Sequence, residues 1–366
     1  MSIECTEHKN IPLIAPAQSR TKDGDLAIAP LTVIVPAFNE AANIADTLRS
    51  LQAQTLRPAE IIVIDDCSTD GTADVARTFP VDVMRPPKNT GSKAGAQNYA
   101  LKHVQTPWVM AIDADTILAD DAIEKLSIAL KDEAVAAACG LVVPRFVRSV
   151  WERGRYIEYL FAFTFYKQIQ DYYDKPMISS GCFSIYRTNV LKSCGGWPTR
   201  TLAEDMDLTW TLYENGYRVR FIADAVCYPI EPENFQYMRQ QLNRWSHGFV
   251  QNLLVHWREI LHVRYLRWAV AVALWDAAIA SLVYLFLVPI IAIFFRTPWL
   301  LLGYIIDAPA VLVPVLSGAK PRGEIRRALA SFPAFFILRT VNAVFFVKAL
   351  VAEMLGRSLT VYEKGH

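Results

Sequence analysis

The sequence predicts an α/β protein in which helices flank a mostly parallel sheet, with a group of membrane helices after it. Short β-branched apolar runs alternate with segments of helical periodicity over residues 31–130, which is typical of βαβ units. Two apolar runs after Arg267 are each long enough to cross a bilayer. The mean hydropathy of +0.20 is high for a soluble protein and agrees with a membrane component.

The predicted strands are continuous apolar runs, as expected for strands that are buried on both faces. In chain order they are LTVIVPAF, AEIIVIDDCSTDGT, VDVMRPP and WVMAIDADTIL, and the helical segments NEAANIADTLRSLQAQ, ADVARTF, SKAGAQNYALKHV and DAIEKLSIAL follow them in turn. Sheets of this kind bind ligands beyond the carboxyl ends of their strands. Here those ends carry a set of polar and acidic side chains: Asn39, Glu40, Asp65, Asp66, Asp113 and Asp115.

Residues 151–175 are rich in aromatic side chains, with charges at intervals. This composition fits an amphipathic helix that lies on a bilayer. It fits a core helix packed under the domain equally well, so both alternatives stay open from the sequence.

The chain divides into four predicted regions. Residues 1–30 have no apolar signal-peptide segment and are predicted as a flexible leader, and residues 31–257 form the predicted cytosolic α/β domain with its interfacial helices. Residues 258–328 are predicted as a transmembrane hairpin, and residues 329–366 as an interfacial helix, or alternatively a third span, with a tail. Basic residues flank the hairpin while its turn carries only Arg296, which predicts a multi-pass protein of the cell membrane with its domain in the cytosol.

The charges and cysteines exclude two classes of protein. The chain has 37 basic and 36 acidic residues, a net charge of +1, which argues against non-specific binding of nucleic acid. The six cysteines form no CxxC pair and no zinc spacing with histidine. Reduced thiols in the cytosol are therefore expected instead of a disulfide framework.

Three short motifs carry candidate chemistry. In DAD, the carboxylates of Asp113 and Asp115 at a strand end can reach one divalent cation, and such a cation can bridge a diphosphate. Lys93 stands among small residues at a predicted helix start, which suits a phosphate. The acids of LAEDMDLT include a candidate general base. Each motif has an ordinary alternative: a surface acid pair, a surface lysine, and acids that stabilise a helix N-terminus.

Seven motifs occur in order over residues 31–250: IVPAFNE, VIDDCSTDGT, KAGAQN, DAD, SSGCFSIYR, AEDMDLT and QLNRW. As a set they resemble family 2 glycosyltransferases with the Rossmann-like GT-A fold. The resemblance is to the membrane-bound QxxRW branch, which includes cellulose, chitin, hyaluronan and poly-N-acetylglucosamine synthases and ceramide or diacylglycerol glucosyltransferases. It implies a UDP-sugar donor, Mg²⁺ or Mn²⁺ as cofactor, and inversion at the anomeric carbon to give a β-linkage.

The resemblance implies a nucleotide-sugar site that consists of Pro36, Asn39, Glu40, Asp65, Asp66, Lys93, Asp113, Gln241 and Arg244. Within this site, Asp65 and Asp66 would contact the uridine. Lys93 and Arg244 would contact the diphosphate. Asp113 and Asp115 would hold the metal.

The resemblance also implies an acceptor site with Asp205 as the general base that deprotonates the acceptor hydroxyl. The residues implied beside the acceptor are Ser180, Gly181, Glu204 and Trp245. His247 is expected on a helix surface. The tail segment VYEKGH has the place of the family's mobile gating segment, with Tyr362 where Trp is usual.

The acceptor stays open between a glycan and a membrane lipid. A hairpin and at most a third span give one chain little wall for a polysaccharide channel. Either several chains assemble to export a polymer, or the acceptor is a lipid such as diacylglycerol or ceramide. The sequence sets neither the sugar nor the oligomeric state.

Overall fold

The computed structural model describes residues 27–359. The predicted leader falls outside this range except for residues 27–30, and the segment VYEKGH with Tyr362 falls outside it entirely. Both predictions therefore remain predictions.

The strands of the described chain belong to one sheet. Their bounds are β1 Ile28–Ala37, β2 Arg57–Asp65, β3 Asp82–Met84, β4 Trp108–Ile112, β5 Ile117–Leu118, β6 Val135–Val142, β7 Phe183–Arg187 and β8 Arg218–Tyr228. Their order across the sheet is β3-β2-β1-β4-β7-β6-β8-β5.

The first half of the sheet is parallel, as predicted. β1 pairs in parallel with β2 and with β4, and β2 pairs in parallel with β3. The second half departs from the mostly parallel prediction, because β7 runs antiparallel to β4 and β6, and β5 runs antiparallel to β8. The sheet is therefore mixed, although β6 and β8 are again parallel.

The antiparallel entry of β7 positions the candidate site. Phe183, the first residue of β7, pairs with Ile112, the last residue of β4. The residues just before Phe183 consequently lie beside those just after Ile112. Ser180 and Gly181 are thereby brought to the DAD motif, a neighbourhood that the order of the sequence does not indicate.

The α-helices connect and cover these strands. Their bounds are α1 Ile44–Gln52, α2 Thr72–Arg77, α3 Lys93–Leu101, α4 Ala122–Ala129, α5 Val150–Phe161, α6 Lys167–Tyr172, α7 Thr188–Ser193, α8 Glu204–Glu214, α9 Phe235–Val255, α10 Trp257–His262, α11 Arg264–Leu274, α12 Val288–Phe294, α13 Ala308–Ala319 and α14 Ile325–Met354. Helices α1 to α4 correspond to the four helical segments predicted between the strands. Serine caps start two of the helices, since Ser92 accepts a hydrogen bond from Gly95 N–H before α3 and Ser149 forms a capping box with Glu152 before α5.

Two apolar cores pack on the sheet. One contains α1, α4 and α5 together with residues of α13 and α14, and the other contains α3, α8 and part of α11. The strands supply both, because β1 and β6 are buried almost throughout. This double burial is the reason that their sequences read as continuous apolar runs.

The aromatic segment at residues 151–175 consists of α5, a π-helical turn at Ala162–Tyr166, and α6. Helix α5 buries Tyr156, Ile157 and Leu160 in the first core. Of the two alternatives for this segment, its first half therefore adopts the core helix. The second half leaves apolar side chains exposed, among them Ile169 and Tyr172.

Two helical segments of the described chain are long and apolar enough to cross a membrane by length and composition: Pro298–Arg322 and Ile325–Met354. The first contains the second arm of the predicted hairpin. The first arm is interrupted by π-helical turns, and its apolar helix at Val283–Phe294 is shorter than a span. Helix α14 covers most of the segment expected in the interface, and it packs along α5 and α9. The number of spans and the domain bounds stay predictions.

Candidate active site

The acids at the end of β2 connect the loop that follows them to the loop after β3. Asp65 is fully buried, with its Oδ2 2.7 Å from Arg85 Nη1, and its Oδ1 accepts the Ser68 N–H. Asp66 accepts hydrogen bonds from the N–H and the hydroxyl of Thr90, both at 2.8 Å. Because Thr90 lies three residues before Lys93, Asp66 fixes the approach of the chain to the start of α3.

The loop after β1 is fastened to the same region. Asn39 adopts a φ of 56°, which asparagine tolerates better than most residues, and its N–H donates to Ser68 Oγ at 3.0 Å. The N–H of the buried Glu40 donates to Thr72 Oγ1 at 2.8 Å, while Pro36 lies within β1. These residues join the two loops at the carboxyl end of the sheet. Their contact with a nucleotide remains a prediction.

Lys93 and the DAD motif meet at the centre of this edge. The Lys93 ammonium forms an ion pair with Asp113 and donates to the carbonyl oxygen of Gly181 at 2.9 Å. Burial raises the pKa of Asp113 and the neighbouring Asp115 carboxylate raises it further, whereas Lys93 lowers it. About a third of the Asp113 side chain is exposed, and Asp115 is buried. The motif therefore presents crowded carboxylates that a further cation would stabilise.

The candidate base stands at the start of α8. One oxygen of Asp205 accepts the Gly181 N–H at 2.9 Å, and the other accepts the Met206 N–H at 2.8 Å. A Cβ at Gly181 would lie 3.2 Å from Asp205 Oδ2, closer than most real Cβ contacts, so glycine allows this approach. The carboxylate is thus held in one orientation beside the peptide that Lys93 also contacts.

A second cation reaches the acids from α9. Burial raises the pKa of Glu204 and Asp205 adds to this rise, whereas Lys93 and Arg244 lower it. Arg244 also lowers the pKa of Asp113. The acids of the DAD motif and of α8 are therefore close enough to two basic side chains, from α3 and α9, for their charges to interact.

The structure adds a lysine that the sequence analysis did not single out. Lys167 is buried, donates to Ser180 Oγ at 2.7 Å and lies 4.5 Å from the centroid of the Phe163 ring. This hydrogen bond holds the Ser180 side chain in one orientation. No local pattern marks this lysine in the sequence, because its neighbours on the chain are those of an exposed helix.

The remaining motif residues, Gln241 and Trp245, contact a second residue that the sequence analysis missed. Gln241 accepts from Arg155 Nη2 at 2.6 Å and donates to Glu231 Oε2 at 3.2 Å. The Arg155 guanidinium lies 4.4 Å from the Trp245 ring centroid. Arg155 precedes Gln241 by 86 positions, so sequence spacing gives no sign of the contact.

The expectation for His247 is wrong. His247 is buried, and its Nδ1 lies 2.6 Å from Glu353 Oε1 near the end of α14. Gln251 donates to the same Glu353 oxygen at 3.0 Å. A histidine in an otherwise polar stretch suggests a surface position, but here α14 covers that face of α9.

Asp207, the third acid of LAEDMDLT, serves the packing of α8. It is fully buried, binds Arg200 with both oxygens, and accepts from His256 at 2.9 Å. These bonds lower the pKa of Asp207 despite its burial. Burial by itself would lower the pKa of His256, but hydrogen bonds to Asp207 and Glu214 raise it to about 9.

The residues of the DAD motif fit a divalent cation. Asp113 and Asp115 offer oxygen donors alone, the kind that Mg²⁺ and Mn²⁺ prefer. Burial and the neighbouring Asp115 carboxylate raise the pKa of Asp113, and a bound cation would oppose both effects. Over the described residues, no group of three or more His, Cys, Asp or Glu side chains is arranged as a metal site. A cation held here would therefore take further ligands from a bound diphosphate and water.

Residues 32–195 match the protein-family model described as Glycosyl transferase family 2. The chain is 30% identical to the poly-beta-1,6-N-acetyl-D-glucosamine synthase of Staphylococcus aureus (strain COL) over 232 residues, which is 61% of this chain and 55% of the relative. The protein of the same name from Staphylococcus epidermidis is 29% identical over 235 residues, with the same shares. The chain spans about half the length of the curated relatives it matches.

Among solved structures, the fold is similar to that of the mannosyltransferase PcManGT from Pyrobaculum calidifontis in complex with GDP-Man and Mn²⁺. The TM-score is 0.56 and the identity 23%, over 91% of each chain. The similarity agrees with the predicted GT-A fold. The family match places a glycosyl transferase family 2 domain at residues 32–195, which confirms the enzyme class indicated by the motifs.

Proposed function

We propose that this protein is an inverting glycosyltransferase that moves a sugar from a UDP-sugar to a membrane-associated acceptor and forms a β-linkage. The observation that carries the proposal is the convergence of Lys93, Asp113, Asp205 and Arg244 on one edge of the sheet, although they come from four distant segments. A leaving diphosphate needs cations and an attacking hydroxyl needs a base, and this edge offers both.

In the proposed reaction, the Asp205 carboxylate takes the proton of the acceptor hydroxyl as that oxygen attacks the anomeric carbon. Its hydrogen bonds from Gly181 N–H and Met206 N–H hold it in position for this transfer. Lys93 and Arg244 stabilise the negative charge that grows on the diphosphate as the glycosidic bond breaks. A divalent cation held by Asp113 and Asp115 would supply further positive charge to the same leaving group.

The relatives and the fold neighbour support the details of the proposal. The staphylococcal relatives are named as synthases of a β-1,6-linked N-acetylglucosamine polymer, so we assign UDP-N-acetylglucosamine as the first donor to test and a glycan as the first acceptor. The fold neighbour was solved in complex with GDP-Man and Mn²⁺, which supports a divalent metal here. The long apolar helices support action at a membrane.

Membranes that contain the protein, incubated with radiolabelled UDP-N-acetylglucosamine, UDP-glucose or UDP-galactose, provide the test. Organic-soluble product is separated from polymeric product, with membranes carrying Asp205→Asn as the control. The proposal expects label in the polymer, released by a β-specific hexosaminidase. Label in the organic phase alone would identify a lipid acceptor such as diacylglycerol or ceramide. The absence of UDP release with every donor overturns the proposed activity.

A further inference from the structure

Arg155 on α5 is a charged side chain with no exposed surface, and it lies outside the motifs already described. Its Nη2 donates to Gln241 Oε1 at 2.6 Å, and its guanidinium carbon lies 4.4 Å from the centroid of the Trp245 ring. It therefore contacts both outer members of the QxxRW motif, on the side of α9 that faces α5.

Two carboxylates neutralise this buried cation. Arg155 forms an ion pair with Glu158 one turn further along α5, and its Nε lies 3.6 Å from Glu231 Oε2. Glu231 is itself buried, and it accepts hydrogen bonds from Tyr159 at 2.8 Å and from Gln241 at 3.2 Å. The amide of Gln241 is consequently fixed at both ends, with its oxygen on Arg155 and its nitrogen on Glu231.

Stability alone does not explain this arrangement, because apolar side chains in the same place would stabilise the fold about as well. Burying ions carries a large desolvation cost, and a buried pair is often replaceable by apolar residues without loss of stability. What the network does provide is direction, since it orients an amide and a neighbouring indole ring. Both of those groups lie on α9 within four residues of Arg244, at the edge of the site.

We propose that Arg155 is a positioning residue for the acceptor: it holds the Trp245 ring in the orientation in which the acceptor sugar stacks on it. This inference rests on the proposed function. Gln241 of the proposed donor site keeps its hydrogen bond to Glu231 without Arg155, so the positioning role concerns the Trp245 ring. It does not make Arg155 a catalytic residue, because Arg155 acts through that ring. It predicts that loss of the guanidinium affects the acceptor more than the donor.

The same network extends to the apolar helix α14. The second oxygen of Glu158 accepts from Asn342 Nδ2 at 3.0 Å. Helix α5 approaches α14 closely here, since a Cβ on Gly154 would lie 2.8 Å from Leu338 Cβ. The Trp245 ring is therefore connected, through Arg155 and Glu158, to a helix long enough to cross a membrane.

The test compares Arg155→Gln with Arg153→Gln in the full-length protein in membranes. Arg153 is exposed on the same helix, which makes it a matched control. Two rates are measured: UDP release without acceptor, and transfer to acceptor over a range of acceptor concentrations. We expect Arg155→Gln to raise the acceptor KM about tenfold or more while the donor KM changes less than twofold, and Arg153→Gln to match the wild type.

A milder pair of variants covers the case in which Arg155→Gln fails to fold. Glu158→Gln keeps the shape of the side chain, and Asn342→Leu removes one donor, so each should raise the acceptor KM by about threefold. An acceptor KM unchanged in folded Arg155→Gln, or in both milder variants, overturns the positioning role. A wild type that releases no UDP from any donor instead overturns the proposed function, so the two failures are distinguishable.

Discussion

The two acidic strand ends in the parallel half of the sheet are built in different ways. At the end of β2, the carboxylate oxygens of Asp65 and Asp66 bind Ser68 in the loop that follows and Arg85 and Thr90 in the loop after β3. After β4, Asp113 and Asp115 lie beside each other, and their charges are offset by side chains from distant segments, Lys93 and Arg244. The first pair gives the loops their shape, and the second pair gives the site its charge.

This difference teaches which acids to expect in the chemistry. The hydrogen bonds of Asp65 and Asp66 join two loops to each other, so replacing either acid should displace those loops. A carboxylate crowded by others, with a raised pKa, retains an affinity for added positive charge. Substitutions can separate the Asp65/Asp66 pair from the Asp113/Asp115 pair, and the candidate base Asp205 is taken first.

The largest effect is expected for Asp205→Asn. Loss of the base should lower the transfer rate by about 10²- to 10⁴-fold. Asparagine keeps the size of the side chain and accepts one of the two backbone N–H bonds through its Oδ1, so the fold should stay intact. The rate of label transfer from the UDP-sugar measures the loss. Asp224→Asn on the exposed surface is the control, and a transfer rate within twofold of wild type in Asp205→Asn would refute the base.

Asp113→Asn and Asp115→Asn should each lower transfer by at least about a hundredfold, since a metal contributes several kcal/mol to the stabilisation of the leaving group. Transfer measured against the concentration of Mn²⁺ checks this. Each variant should need more Mn²⁺ than the wild type. A lower rate with an unchanged requirement for Mn²⁺ would place the metal elsewhere.

Asp66→Asn tests the structural pair and should be milder. Asparagine cannot accept from both the N–H and the hydroxyl of Thr90 as the carboxylate does, so the chain before Lys93 should shift. We expect the donor KM to rise about tenfold, and the free energy of unfolding to fall by about 1–2 kcal/mol. A loss of transfer as large as that in Asp113→Asn would remove the distinction between the two strand ends.

The smallest effect on activity is expected for the ion pair between His256, which follows α9, and Asp207 of α8. Because the pKa of His256 is raised to about 9 in the folded protein, its contribution to stability is complete below its unfolded pKa of about 6.5. That contribution is lost as the pH rises through 9, and amounts to at most about 3 kcal/mol. The midpoint of thermal unfolding should therefore fall between pH 7 and pH 10 by several degrees in the wild type. In His256→Gln the midpoint should fall less, and an equal fall would contradict the stabilising role of His256.

The sequence predicts the parallel half of the fold and the charged group well, for physical reasons. Strands buried on both faces read as continuous apolar runs, and acids directly after such runs mark the carboxyl edge of the sheet. β7 is harder to predict, because its antiparallel entry depends on the path of α5 and α6 beneath the domain. The position of Gly181 beside Asp205 follows from that path.

The contacts that Gln241 and His247 of α9 make with distant residues could not be predicted from the sequence. Arg155 and Gln241 are 86 positions apart, and His247 and Glu353 are 106 apart. Each of these side chains belongs to a type that is usually exposed, so local patterns place them on a surface. Arg155, His247 and Glu353 are buried in the part of the fold where α14 packs against α5 and α9.

In the proposed mechanism, Asp113 and Asp115 hold a divalent cation against the diphosphate of a UDP-sugar. Titration calorimetry of UDP binding to the purified protein, with and without Mn²⁺, tests this directly in the wild type and in the Asp113→Asn/Asp115→Asn double variant. Mn²⁺ should tighten UDP binding by at least about tenfold in the wild type and have no effect on the double variant. Equal tightening by Mn²⁺ in both proteins would contradict it.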